Sequence, residues 1–160
     1  MKLIGKDLIN SNFNITSQNP RIFTNDSTPA LATIKLLPSD FVSNEDGGNT
    51  KFGIGYVDTA GSSYGMKPAN ADTELYAFVS IPESMKATHV DIYAKDNLAI
   101  EAFEVQINAT TMVSKGSGNA NTTLNITDVD ATATNFLAIR VTTTATTDKV
   151  FGGAVTIFPQ

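Results

Sequence analysis

The sequence predicts an all-β protein: an antiparallel β-sandwich of jelly-roll-like type, about eight strands, preceded by an N-terminal arm. Three observations predict it. The closing stretch from Asn135 to Phe158 alternates, with Leu137, Ile139 and Val141 set against Ala138, Arg140 and Thr142, then Phe151, Val155 and Ile157 against Ala154 and Thr156. Successive strand side chains point to opposite faces, so each arm has an oily side and a wet side. The composition agrees: charged residues make up only 17%, and Thr, Asn, Ser and Ala fill the gap. Thr suits a half-exposed strand, and Asn, Ser and Gly suit turns. Finally, turn signals cut the chain into short segments at sandwich-like spacing, with no heptad and no internal repeat. The closing stretch is expected to be a β-hairpin whose buried face needs a second sheet to cover it.

Residues 1–29 read as an arm or extension, and residues 30–160 as one domain. In the arm, Leu3, Ile4, Leu8, Ile9 and Phe13 are dispersed among Asn and Ser, a poor pattern for a core, and Asn19-Pro20 marks a turn. Residues 30–37 predict a strand that Pro38 ends, since proline cannot donate to a ladder. Ser39 and Asp40 then suit a short helical turn through Val42. Residues 44–49 are loop chemistry. The run 51–58 alternates Phe52, Ile54 and Tyr56 against Gly53, Gly55 and Val57, and residues 59–72 are mostly loop with a short strand near Tyr64.

Thr73 to Pro82 places Leu75, Ala77, Val79 and Ile81 on one face and Tyr76 and Phe78 on the other. Bulk on both faces implies a central strand or an interface. Residues 87–94 send Val90 and Ile92 inward and His89, Asp91 and Tyr93 outward. Residues 100–108 are expected to send Phe103, Val105 and Ile107 inward, with Glu104, Gln106 and Asn108 outward. Lys115-Gly-Ser-Gly-Asn reads as a turn, 121–127 as a short strand and 128–134 as a polar connection.

At 160 residues and 17.0 kDa, the chain is long enough to bury a core without staples. It has no Cys, so thiolate metal sites and disulfides are excluded. The net charge is −5 with pI near 4.7. The Lys and Arg residues are scattered singly, which argues against nucleic-acid binding. The N-terminus shows no apolar run of signal-peptide or membrane-span length. No membrane is expected as a partner.

Candidate chemistry is thin, and no catalytic, cofactor-binding or metal-binding residue is expected. A triad would have to use His89, the only imidazole, with Asp91 beside it, and no nucleophile elbow accompanies them. Glu45-Asp46 and the pair Asp128 and Asp130 lack EF-hand spacing; Asp40, Asn44 and Asp46 read as a solvated turn. Glu101, Glu104 and Asp91 would need to face each other across a cleft to cleave sugars. Lys115-Gly-Ser-Gly lacks the length of a phosphate loop. The Asn-x-Ser/Thr sequons at Asn14, Asn25, Asn108, Asn121 and Asn125 are expected by chance in such a composition. Tyr76, Phe78, Tyr93 and Phe136 are more informative. Outward aromatics form a subunit contact or are covered by loops and the arm.

The stretches Glu-Leu-Tyr-Ala-Phe-Val-Ser-Ile-Pro (74–82), Lys-Ala-Thr-His-Val-Asp-Ile-Tyr (86–93), Asn-Phe-Leu-Ala-Ile-Arg-Val (135–141) and Val-Phe-Gly-Gly-Ala-Val-Thr-Ile (150–157) resemble small structural proteins of marine tailed bacteriophages, notably those infecting cyanobacteria. Leu-Leu-Pro-Ser-Asp-Phe-Val (36–42) adds a match nearer the start. The resemblance implies a non-enzymatic virion component made in the host cytoplasm. A capsid decoration protein on the major capsid protein or other virion proteins, as a homo-oligomer, is the expectation. The alternative is a tail or fibre-tip module that binds host surface glycans; a hydrolase ranks last. These motifs carry no catalytic roles.

Overall fold

The computed structural model describes residues 31–44, 54–59 and 63–160. Chain compactness divides the sequence into Met1–Ala30 and Leu31–Gln160, and only the second unit is described. The expected arm, Phe52 and the Glu45-Asp46 pair lie outside the described residues.

Eleven strands are described, in place of the eight expected. They are β1 (Ala32–Leu36), β2 (Phe41–Ser43), β3 (Ile54–Thr59), β4 (Ser63–Pro68), β5 (Glu74–Val79) and β6 (Met85–Ala94), then β7 (Ala99–Gln106), β8 (Met112–Asn119), β9 (Leu124–Asp130), β10 (Asn135–Thr142) and β11 (Val150–Pro159). One 3-10 turn, Pro38–Asp40, joins β1 to β2; its Asp40 carboxylate accepts the Leu37 amide at 2.8 Å. The helical turn expected through Val42 therefore stops at Asp40, and Phe41 opens a strand because its ring (1% exposed) is core.

The strands form two antiparallel sheets. One runs β3-β4-β11-β6-β9, with β1 also on β11, and the other runs β2-β5-β10-β7-β8. The chain is a β-sandwich. Inner faces alternate as the period-two rule requires: Leu75, Ala77, Val79, Leu137, Ile139 and Val141 on the five-stranded sheet meet Val90, Ile92, Val155 and Ile157 on the six-stranded one. From β5 onward each connection except β7–β8 passes from one sheet to the other, the habit of Greek-key sandwiches.

Four expectations need correction. The closing stretch is no hairpin, since β10 lies in the five-stranded sheet and β11 in the six-stranded one. Asp148, only 3% exposed, builds the crossing: its Oδ2 accepts the amides of Thr144 at 2.7 Å and Ala145 at 2.9 Å. Phe151 points away from the core, because a register shift between Val150 and Gly152 reverses parity there and puts Val150 (0% exposed) inside. In β7 the faces are reversed: Ile100 and Ala102 are buried, and Phe103 lies on the outer face in register with Ala138. The segment Lys115–Asn119 is ladder and not turn, since Gly116 pairs with Ala102 and Gly118 with Ile100.

Candidate functional site

The outer face of the five-stranded sheet holds the first candidate site. β5 and β10 are adjacent and antiparallel, with Arg140 opposite Tyr76 and Ala138 opposite Phe78. Tyr76 and Phe78, two residues apart, share that face; their rings lie 6.0 Å apart and nearly parallel at 16°. Phe136 meets Phe78 edge-on at 5.9 Å and 74°. Three of the four expected interface residues thus form one cluster. Val105, Met112 and Asn44 extend it into a shallow groove of about 330 Å³. Phe78 is 56% exposed and Met112 45%, an apolar patch open to contact.

Charged groups frame this patch and are paired among themselves. Arg140 sends Nη1 to Glu74 Oε1 at 2.9 Å and Nη2 to Glu101 Oε2 at 2.6 Å, and its guanidinium lies 5.4 Å from the Phe103 ring centre. Burial alone would lower the Arg140 pKa, but Glu74, Tyr76 and Glu101 outweigh it and hold the group above its ordinary value. Tyr76 is raised, first by burial and then by Glu74. Asn44 donates to Glu74 Oε2 at 3.0 Å. On the other face of the same strands, in register with Leu137, Glu104 takes Lys115 at 2.7 Å and an amide hydrogen of Asn135 at 2.9 Å. The Lys115 bond leads the causes that depress its carboxyl pKa.

Tyr93 does not join the cluster. It stands on the outer face of the six-stranded sheet, opposite Gly152 in register. There it lines a second groove, of about 550 Å³, with Tyr64, Phe151, Lys35 and Pro38. Tyr64 and Phe151 lie 5.2 Å apart at 44°. The floor is the small-residue run of β11: Ala154 sits between Lys35 and Asp91, and Gly152 carries φ +130°. A side chain at Gly152 would meet the Leu36 carbonyl oxygen, so only glycine fits there.

The remaining candidates stay apart. His89 Nδ1 pairs with the neighbouring Thr88 hydroxyl at 2.8 Å, while Asp91 accepts from Thr123 at 2.6 Å; no triad forms. Glu101 and Asp91 lie on opposite sheets, so they share no cleft. Asp128 is bound to Lys86 at 2.7 Å. No group of three or more metal-ligating side chains occurs among the described residues. Asn108, Asn121 and Asn125 are exposed; Asn14 and Asn25 lie outside the described residues.

No family model and no curated protein matches this sequence. Among solved structures, the chain is similar to the CBM22-1–GH10 modules of endo-1,4-β-D-xylanase 10B from Clostridium thermocellum complexed with xylohexaose, at 12% identity and TM-score 0.44. The match covers 81% of this chain and 28% of that one, so this chain spans well under a third of the xylanase chain. It is also similar to TmCBM61 in complex with β-1,4-galactotriose, at 10% identity and TM-score 0.32, over 89% of this chain and 97% of that one. Likenesses this distant carry no functional argument.

The sequence reading missed the Arg140 bridge and the second groove. Arg140 faces out on a strand between two acidic neighbours, a signal readable only once the β5-β10-β7 order is known. Lys35, Tyr64, Tyr93 and Phe151 come from four separate strands, and no spacing along the chain links them.

Proposed function

We propose that this chain is a non-enzymatic structural protein of a phage particle, a capsid decoration protein. It seats the outer face of its five-stranded sheet on the shell. One observation carries the reading: Phe78 is exposed, with the half-buried rings of Tyr76 and Phe136 packed on it, while the charges around the cluster already pair with one another. Interface cores are rich in aromatics and poor in lone charges. A polar rim satisfied within the protein can be covered without stranding a buried donor or acceptor. The resemblance to phage structural proteins supports the same reading, and part of this face would also hold sister copies together as a homo-oligomer.

Copy number in the purified particle tests it. A decoration protein is present on the order of hundreds of copies, following the symmetry of the shell. Phe78→Asp should lower occupancy sharply while the isolated protein keeps its melting temperature, because Phe78 is already half in water. Full occupancy by Phe78→Asp overturns the docking face. The second reading, a tail or fibre-tip module that binds host surface glycans, is favoured by the aromatic groove on the opposite sheet. It requires a copy number in the range of a few to tens.

A further inference from the structure

The two outer faces differ in the state of their polar groups. On the five-stranded sheet the Tyr76 hydroxyl donates to Glu74 at 3.4 Å. On the six-stranded sheet the hydroxyls of Tyr64 and Tyr93 make no hydrogen bond among the described residues, and both side chains are 54% exposed. Lys35, on the opposite wall from Tyr93, forms no ion pair among the described residues. These groups surround a floor of glycine and alanine that leaves room above β11.

The floor strand of the groove offers no edge for a peptide to extend. β11 is bonded to β1 on one side and β6 on the other, so strand addition is closed off. The groove also lacks the deep apolar enclosure that a hydrophobic ligand needs. A sugar ring matches what remains. Its C–H face is apolar and packs on an aromatic ring, while its rim of hydroxyls meets groups such as the tyrosine hydroxyls and the Lys35 ammonium. The geometry points to an oligosaccharide-binding site on the outer face of the six-stranded sheet, with Tyr64 and Tyr93 as stacking walls and Lys35 as a donor. The site uses none of the residues assigned to particle docking. Either assignment can fail alone, and a docked protein would still present the groove on its opposite sheet.

The test is a glycan microarray probed with the full chain, followed by titration with the strongest soluble oligosaccharide on it. The chain has four Tyr and no Trp, so intrinsic emission reports tyrosine directly. Wild type should bind at least one arrayed oligosaccharide. Tyr93→Ala should weaken that binding by about tenfold or more, while Tyr93→Phe, which keeps the ring, should lose less. Ala154→Tyr raises a ring from the groove floor without entering the core and should abolish binding. Phe78→Ala, on the other sheet, should leave it unchanged. Circular dichroism checks that each variant is folded; should Tyr93→Ala fail, Ala154→Tyr and Lys35→Ala decide the matter. Two results would overturn the site: an array on which wild type gives no more signal than Ala154→Tyr, or binding that survives Ala154→Tyr. Binding lost in Phe78→Ala alone would move the sugar to the opposite sheet.

Discussion

Leu137 shows how much one side chain carries here. It is fully buried near the start of β10, between Val79 and Glu104 in register. Leu137→Ala removes its contacts and leaves a cavity, and should cost about 2–5 kcal/mol in a denaturant titration. Glu104, on the same strand pair, sets a pH dependence. Lys115 and Asn135 hold its folded pKa below the ordinary value. A depressed carboxyl contributes stability in full above its unfolded pKa, and that contribution drains as pH falls through the folded value. The midpoint of denaturant unfolding should therefore fall below about pH 4.5 in wild type. Glu104→Gln should start lower at neutral pH and lose less on acidification. Equal slopes for the two proteins would remove Glu104 from the acid response.

Strand β11 is the element on which the six-stranded sheet depends, since it pairs with β1, β4 and β6. Gly152 permits that crowding. Gly152→Ala forces a side chain onto a left-handed backbone and against the Leu36 carbonyl, and should cost about 1–3 kcal/mol. Gly55→Ala is the control: among the described residues nothing lies within 4 Å of its added carbon, and stability should hold or rise slightly. Alternation made these strands legible where one face is plainly apolar, as in β5, β6 and β10. It failed in β7, where Ile100 and Ala102 compete with Phe103 and Val105 for the inward face. A slip of one residue then exchanges both faces. It failed at Phe151 because a bulge changes parity without any mark in the composition. Nor does period-two patterning name a strand's partner, which is why two adjacent amphipathic arms looked like a hairpin and proved to belong to different sheets. The aromatic cluster was half legible: Tyr76, Phe78 and Phe136 stand out as bulk on polar faces, but only strand order separates them from Tyr93.

For the molecule as a whole, the two outer faces of the sandwich differ in chemistry. One is aromatic with its charges paired; the other has an open groove whose tyrosine hydroxyls make no hydrogen bond among the described residues. If the arm bridges subunits on the particle, removing residues 1–19 should reduce occupancy on the shell, as counted by densitometry of purified particles. Unchanged occupancy would count against that role. The register of β1 on β11, with Ala32 beside Ile157, has a consequence for how the molecule is made. Segments from opposite ends of the described chain must find each other before the larger sheet is complete, and loop closure over such a distance is slow. Molecules caught partway carry bare strand borders to which sister chains can adhere. Yield of native protein should therefore depend on dilution and on time, and crowded, rapid synthesis should favour the tangled product.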